Sequence, residues 1–349
     1  MSKDLLEIPK LLAWVSEFAT TRVGAEAISG LDFDDSVAAE QRRQTGAEAK
    51  QAVEAQQAPS LARCIDLREL LFDCEQRALS GGELVDACET FERNTQLQSW
   101  ARNHPIYTAF GKLIAGVPET ENLARLIRKS IDTRGNVRDE ADLELPKLRS
   151  ELEKLNRQRN QKFDLIAESL HAKGVLQQRH PVQRMGKLML AVKASHAGRA
   201  GGAVHERSQS GDTIFVEPTA IIEISNRVVN VEFQIKRIEE EILRELSLAI
   251  LRRSDDLLLL NKIISEIDLA LASSNWAIKV GAEYPQMVNR EQGVTLHQAR
   301  HPLLVRQLGA QEVVPLDLSL GNNYDLLVVT GPNTGGKTLV LKTVGVAVW

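Results

Sequence analysis

The sequence predicts a mainly α protein with a small α/β part. Three observations carry this reading. Aromatic residues make up only 4% of the chain while hydrophobic residues make up 43%, so its cores are built from Leu, Ile, Val and Ala, a choice that favours helices. Two long apolar stripes at helical spacing flank a glycine-rich stretch with strand-like runs. A continuous apolar run, Leu326-Leu327-Val328-Val329-Thr330, enters a glycine-rich turn, as buried parallel strands do.

The 349 residues allow two or three domains. A net charge of −4 predicts no partner for the chain as a whole. Cys64, Cys74 and Cys88 are odd in number and show no C-x-x-C spacing, which predicts reduced thiols in a cytosolic protein. No apolar run approaches the roughly 18 residues of a membrane span. The opening MSKDLLEIPKLL carries acids early and lacks a signal-peptide core. A cytoplasmic location with no membrane partner is expected.

Residues 1–140 read as helical. Leu5, Ile8, Leu11, Leu12 and Val15 recur at helical spacing. Asp34–Gln57 is rich in Ala, Glu and Gln, and Pro59 closes it. Leu67, Leu70 and Leu71 form another stripe. Ser80-Gly81-Gly82, His104-Pro105 and Gly116-Val117-Pro118 mark breaks.

Residues 141–250 change character. Leu145, Leu148, Leu152 and Leu155 step by three or four, and Phe163, Ile166 and Leu170 resume the stripe after polar Arg159. Ile221, Ile224, Val228, Val231, Ile235, Ile238 and Ile242 then form a second seam with the alternating steps of a coiled coil. Two seams joined by a short segment predict a long antiparallel pair. Each arm has about 30 residues, or about 45 Å. Between them, at about 176–216, Lys187–Val192 and Thr213–Val216 read as strands and Gly198, Gly201, Gly202 and Gly211 as turns. A small β tip on a helical arm is expected. Residues 251–285 return to helix. Residues 286–349 turn to β, with Gly293–Leu296, Pro315–Leu318 and Leu326–Thr330 as strands.

Gly331, Pro332, Asn333, Thr334, Gly335, Gly336, Lys337 and Thr338 fit G-x-x-x-x-G-K-[ST] in full. The motif follows an apolar run and opens a helix from Lys337. Glycines let backbone N–H groups curl around a phosphate with no Cβ in the way. The helix N-terminus adds partial positive charge. Lys337 is expected to reach the β- and γ-phosphates of ATP, and Thr338 to ligate Mg²⁺. These are binding roles, and no catalytic residue is assigned. Hydrolysis needs an acidic strand end and a group that orients water. Only 11 residues follow Thr338, so the expectation is an ATPase domain that stops short of completion.

Residues 171–210 hold seven Lys and Arg against one acid, a net +6, and four of the seven histidines, leaving −10 for the remainder. A basic tip on an acidic body is an electrostatic footprint for a phosphate backbone. The segment has no Phe, Tyr or Trp, so contact with phosphates is expected rather than base stacking. The candidate contacts are Lys187, Lys193, Arg199, Arg207, Ser208 and Ser210.

Three stretches in order, AVHERSQSGDTIFVEPTAIIEISN (203–226), ARHPLL (299–304) and LLVVTGPNTGGKTLVLKTVG (326–345), resemble the MutS family in its second bacterial branch, MutS-II. The resemblance spans nearly the whole chain. It implies a helical core or lever domain in 1–140 and 251–285, a coiled-coil clamp in 141–250, and the N-terminal part of an ABC-type ATPase domain in 286–349. It further implies ATP and Mg²⁺ as cofactors and a homodimer. The implied partners are duplex, branched or mismatched DNA, or the ribosome and its RNA. Family roles are suppression of recombination, DNA repair and ribosome rescue, with ATPase and endonuclease activities. No counterpart of the first branch's mismatch-reading domain is expected, and Phe215-Val216-Glu217 is expected to be a coincidental F-x-E. The sequence holds no Walker B run, ABC signature or Smr nuclease domain. Two functions follow. One is a MutS-II-like portion that binds ATP without hydrolysing it. The alternative is a non-enzymatic nucleic-acid clamp whose P-loop is vestigial.

Overall fold

The structure, a computed structural model, describes residues 3–32, 36–184, 187–288, 292–321, 324, 326–331 and 336–349. Helices dominate the first part: α1 (Ile8–Ser16), α2 (Arg22–Ser29), α3 (Ser36–Glu54), α4 (Leu67–Gln76), α5 (Gly81–Asn103), α6 (Thr108–Ala115) and α7 (Glu121–Ser130). Local chemistry sets several starts. Pro9 occupies the first turn of α1, where its missing N–H costs nothing. The Thr21 hydroxyl accepts from Gly24 N–H at 3.0 Å and caps α2, and the Asp66 carboxylate does the same for α4. Next come α8 (Leu145–Ala172), β1 (Val182–Arg184), β2 (Lys187–Lys193), β3 (Gly202–Arg207), β4 (Thr213–Pro218) and α9 (Thr219–Leu251). The chain continues with α10 (Ser254–Val280), β5 (Val294–Ala299), α11 (Pro302–Leu308), β6 (Leu316–Leu320) and α12 (Lys337–Val348).

Two compact units emerge. The first holds residues 1–77, 82–127 and 248–349. Its centre is α10, packed by α2, α3, α4 and α6. Leu257, Leu260, Ile264, Ile267 and Ala272 are wholly buried there, as in a helix enclosed on nearly every side. Gly281, at φ 68°, ends α10 in the left-handed conformation that glycine adopts freely. The three cysteines are free. Burial pushes the Cys64 thiol up to about 12 and Cys74 up to about 11, so both stay protonated and unreactive at neutral pH.

The second unit holds residues 78–81 and 128–247. Within it α8 and α9 run in opposite directions, tied by Arg149–Glu239 at 2.7 Å and Arg227–Glu151 at 3.2 Å. Along α9, every residue from Ile221 to Ile242 that the spacing put on the seam is buried or half-buried. The α8 stripe is interrupted by polar Asn156 and Arg159. Asn156 Oδ1 and Arg159 Nε are buried without a hydrogen-bond partner among the described residues, a local cost of about 1–3 kcal/mol each. The strands form an antiparallel sheet in the order β1-β2-β4-β3. One face, with Leu190, Val192, Ile214 and Val216, packs on Phe163, Ala167 and Leu170 of α8 and on Ile221. β1 and β3 were not legible beforehand: Val182–Arg184 is too short to show a period, and glycine opens Gly202–Arg207. That glycine is required, because a Cβ on Gly202 would lie 2.2 Å from the Glu217 carbonyl oxygen.

The strand pattern near the end of the chain needs correction. β5 and β6 pair antiparallel with each other. Leu326–Thr330 forms no strand; it is irregular, and Leu326 and Val328 are 78% and 71% exposed. An apolar run becomes a strand only when neighbours take its N–H and C=O groups and cover its side chains. No strand among the described residues flanks this one. No helix among them is long and apolar enough to cross a membrane.

Candidate functional site

The phosphate-loop motif lies in the first unit. Gly331 sits at φ 144° and Gly336, the N-cap of α12, at φ 75°. Both values favour glycine, and a Cβ at either position would enter open space. Pro332, Asn333, Thr334 and Gly335 lie outside the described residues. Lys337 opens α12, and its ammonium group donates to the Gly331 carbonyl. That bond brings the two ends of the motif together. Thr338, next along the helix, is exposed. The structure therefore presents an ammonium, a hydroxyl and a helix N-terminus at one place, the donor set that an anion requires.

α12 is held from its other side. Thr343 is buried, with its hydroxyl donating to the Leu339 carbonyl at 2.8 Å. Val346 and Trp349 pack against a cluster of Leu6, Ile8, Leu12, Val15, Ile28, Leu269 and Ala272. Lys342 pairs with Glu7 at 2.8 Å. Hydrogen bonds and charge from Lys10, and then Lys342, lower the Glu7 carboxyl to about 2. Sequence inspection missed this support, since nothing local links position 7 to position 342.

His301, in the ARHPLL stretch, is 4% exposed, and neither ring nitrogen has a hydrogen-bond partner among the described residues. Burial lowers its pKa from the ordinary 6.5, the charge of Glu7 opposes this, and Lys342 adds to it. The folded state thus disfavours the proton. Its contribution to stability is complete above pH 6.5 and declines as pH falls toward the depressed value. Thermal midpoints measured between about pH 7 and pH 5 are expected to fall, and His301→Phe to flatten that slope. An unaltered slope in the variant would assign it to other groups.

The basic tip lies in the second unit. Lys193 closes β2 opposite Thr213, and Arg207 closes β3 opposite Ile214. Both flank β4 at the same end of the sheet, about 10 Å apart as two strand spacings. Ser208 and Ser210 stand in the following turn. The Ser208 hydroxyl accepts from Thr213 N–H at 3.1 Å and lies 3.3 Å from the Ser210 hydroxyl. Gly211, at φ 78°, allows the reversal. The four lie at this end of the sheet, Lys193 and Arg207 on opposite faces because Thr213 and Ile214 alternate. Lys187 does not join them: it opens β2, six residues or about 20 Å away. Arg199 is exposed in the 3-10 segment Ala194–Arg199 between β2 and β3. Arg179 and Arg184 stand near Glu168 and Glu206, at 3.7 and 3.9 Å. Arg184 also covers the Phe215 ring at 4.8 Å, so the tip's one aromatic is buried. Glu217, 1% exposed, accepts a 2.9 Å contact from the His205 ring. Among the described residues, no group of three or more His, Cys, Asp or Glu is placed to hold a metal ion.

No family model matches the chain. Curated relatives do. Endonuclease MutS2 of Symbiobacterium thermophilum is 31% identical over 352 residues, covering 98% of this chain and 43% of that protein. Endonuclease MutS2 of Halothermothrix orenii is 30% identical over 362 residues, covering 99% of this chain and 44% of that protein. Endonuclease MutS2 of Geobacillus sp. is 31% identical over 355 residues, covering 98% and 44%. The chain thus spans less than half the length of the relatives it matches, and the match includes both the phosphate-loop motif and the strand-bearing arm. By that sustained similarity, the chain belongs to the MutS-II family.

Proposed function

We propose that this chain is the part of a MutS-II protein that grips nucleic acid and binds ATP, with residues 1–140 and 251–285 as lever, 141–250 as a coiled-coil clamp, and 286–349 within an ABC-type ATPase domain. The observation that supports this best is the joining of Gly331 to Lys337 at the head of α12, on a chain whose relatives are named as MutS2 proteins. Lys337 would hold the β- and γ-phosphates, and backbone N–H groups of the loop from Gly331 to Gly336 would surround them. Thr338 would give its hydroxyl to Mg²⁺, an ion held through few protein ligands and the phosphates themselves. When bound, the nucleotide supplies a charge that the loop must order around. The residues named here bind rather than react: a protonated lysine and a hydroxyl are not general bases. Binding without turnover is the expected behaviour of this chain.

The test is a Mg·ATP titration followed by melting temperature and by the amide signals of 331–338. Lys337→Ala removes a charge-assisted contact of about 1.5–3 kcal/mol, so affinity is expected to drop about 10- to 100-fold. Unmoved signals in the unmodified chain would refute nucleotide binding. Phosphate release above background that Lys337→Ala abolishes would refute the lack of turnover.

For the tip we propose duplex or branched DNA as the partner, held by phosphate contacts from Lys193, Arg207, Ser208 and Ser210, with Arg199 and Lys187 as outlying contacts. Ribosomal RNA offers the same phosphates, and competition between the two polymers ranks them. A homodimer would present two such tips. The alternative, a clamp that works without nucleotide, draws on one contrast: every strand of the tip sheet has a partner, whereas Leu326–Thr330 is irregular. It requires that Lys337→Ala leave DNA binding, and any response of that binding to Mg·ATP, as in the parent chain.

A further inference from the structure

The helix that the phosphate loop opens is fastened several residues away from the loop. Glu7 grips two lysines at once, one carboxylate oxygen accepting from Lys10 Nζ at 2.7 Å and the other from Lys342 Nζ at 2.8 Å. Glu7 holds a left-handed backbone, φ 58° and ψ 27°, which a non-glycine residue keeps only when its surroundings hold it there. Its neighbour Leu6 lies so close to Gly345 that a Cβ there would stand 2.5 Å from the Leu6 Cδ2 atom. Lys342 follows Lys337 by five residues, about 7.5 Å along the axis and roughly 140° around it. The two lysines therefore face different sides of α12, and Lys342 is not a second phosphate lysine.

We infer that Glu7 is a positioning residue for the phosphate-binding loop: through Lys342 it sets where α12 presents Lys337 and Thr338. The inference rests on the reading that this loop holds a nucleotide. A helix is stiff, so a tilt released at position 342 moves its N-terminal end. Anion capture by a lysine and a row of N–H groups depends on sub-ångström placement. Leu6, Val346 and Trp349 give α12 an apolar seat, which is non-directional. The bridged carboxylate adds a directional tie to α1, whose Leu12 and Val15 share that cluster with Leu269 and Ala272 of α10.

The experiment uses the full chain, the variants Glu7→Gln, Lys342→Met and Lys342→Arg, and the double variant Glu7→Gln/Lys342→Met. Mg·ATP affinity is measured by fluorescence titration, and amide hydrogen exchange of residues 337–348 is measured without nucleotide. Glu7→Gln and Lys342→Met are each expected to weaken Mg·ATP binding about tenfold and to speed exchange in α12. Lys342→Arg, which keeps the charge, is expected to stay within about twofold of the parent. The double variant should bind no more weakly than the weaker single, because both remove one interaction. Parent-like affinity in both neutral variants, whatever the exchange shows, overturns the inference and leaves the nucleotide site intact. Losses that add in the double variant overturn joint action. If the unmodified chain binds no Mg·ATP, the nucleotide reading fails first and the inference falls with it.

Discussion

Raising salt from about 50 to about 200 mM is expected to weaken duplex DNA binding by about two orders of magnitude. About four phosphates neutralised at the tip give a slope near −3.6 in log affinity against log salt, which a fourfold change in salt converts to roughly that loss. Four is the number of basic candidates, Lys187, Lys193, Arg199 and Arg207. The structure sorts them. Lys193 and Arg207 share one end of the sheet across β4 but stand on opposite faces, because their partners Thr213 and Ile214 alternate, so each meets its own phosphates. The double variant Lys193→Ala/Arg207→Ala is expected to reduce the slope by about 2. Lys187→Ala acts from the far end of β2 and should lower it by no more than about 1. The tip offers no exposed aromatic, since Arg184 lies over Phe215, and base stacking should contribute nothing. Filter binding or anisotropy across a salt series reads the slope directly. A slope near zero, or one untouched by the double variant, would remove the tip from the interface.

Asp268→Ala should destabilise the first unit by about 3 kcal/mol or more. Asp268 is fully buried. Its carboxylate accepts from Thr20 N–H at 3.0 and 3.1 Å, Thr21 N–H at 2.7 Å and the Thr21 hydroxyl at 2.6 Å. The Thr21 hydroxyl in turn accepts from Gly24 N–H and caps α2. Removing the carboxylate strands two buried donors and loosens the cap, at about 1–3 kcal/mol per orphaned group. Gly24→Ala attacks the same place sterically, because its Cβ would lie 2.2 Å from Asp268 Oδ2; about 1–3 kcal/mol is expected. The two should not add, since deleting the carboxylate makes room for the methyl group. Trp14 and Trp276 meet edge to face at 5.7 Å, so tryptophan fluorescence in urea follows this unit. Additive losses, or an Asp268→Ala midpoint equal to the parent's, would contradict the network.

Much of the molecule was readable beforehand wherever chemistry is local. The seam of α9 follows from a three-and-four spacing that any helix turns to one side. The loop motif follows from residue types that act within one turn of helix. The positive charge of the tip needed only counting. β2 and β4 showed as short apolar runs set between glycine turns. β1, β3 and the pairing of β5 with β6 did not, because short or glycine-bearing strands carry no period. Leu326–Thr330 is the opposite case: apolar content alone predicts a buried strand, and the structure leaves the run exposed.

What the sequence by itself determined is the kind of protein: a MutS-II chain with a phosphate-loop motif, an amphipathic arm and a basic segment. What only the tertiary structure decided is which residues act together. Lys193 and Arg207 come to one end of the sheet because both pair with β4. Asp268 meets Thr21 across 247 positions, and Glu7 meets Lys342 across 335. Helical faces and turn chemistry are set by residues a few positions apart, so a linear reading captures them. Register between strands and ion pairs between distant helices are set by how the chain closes on itself, and no local window contains that information.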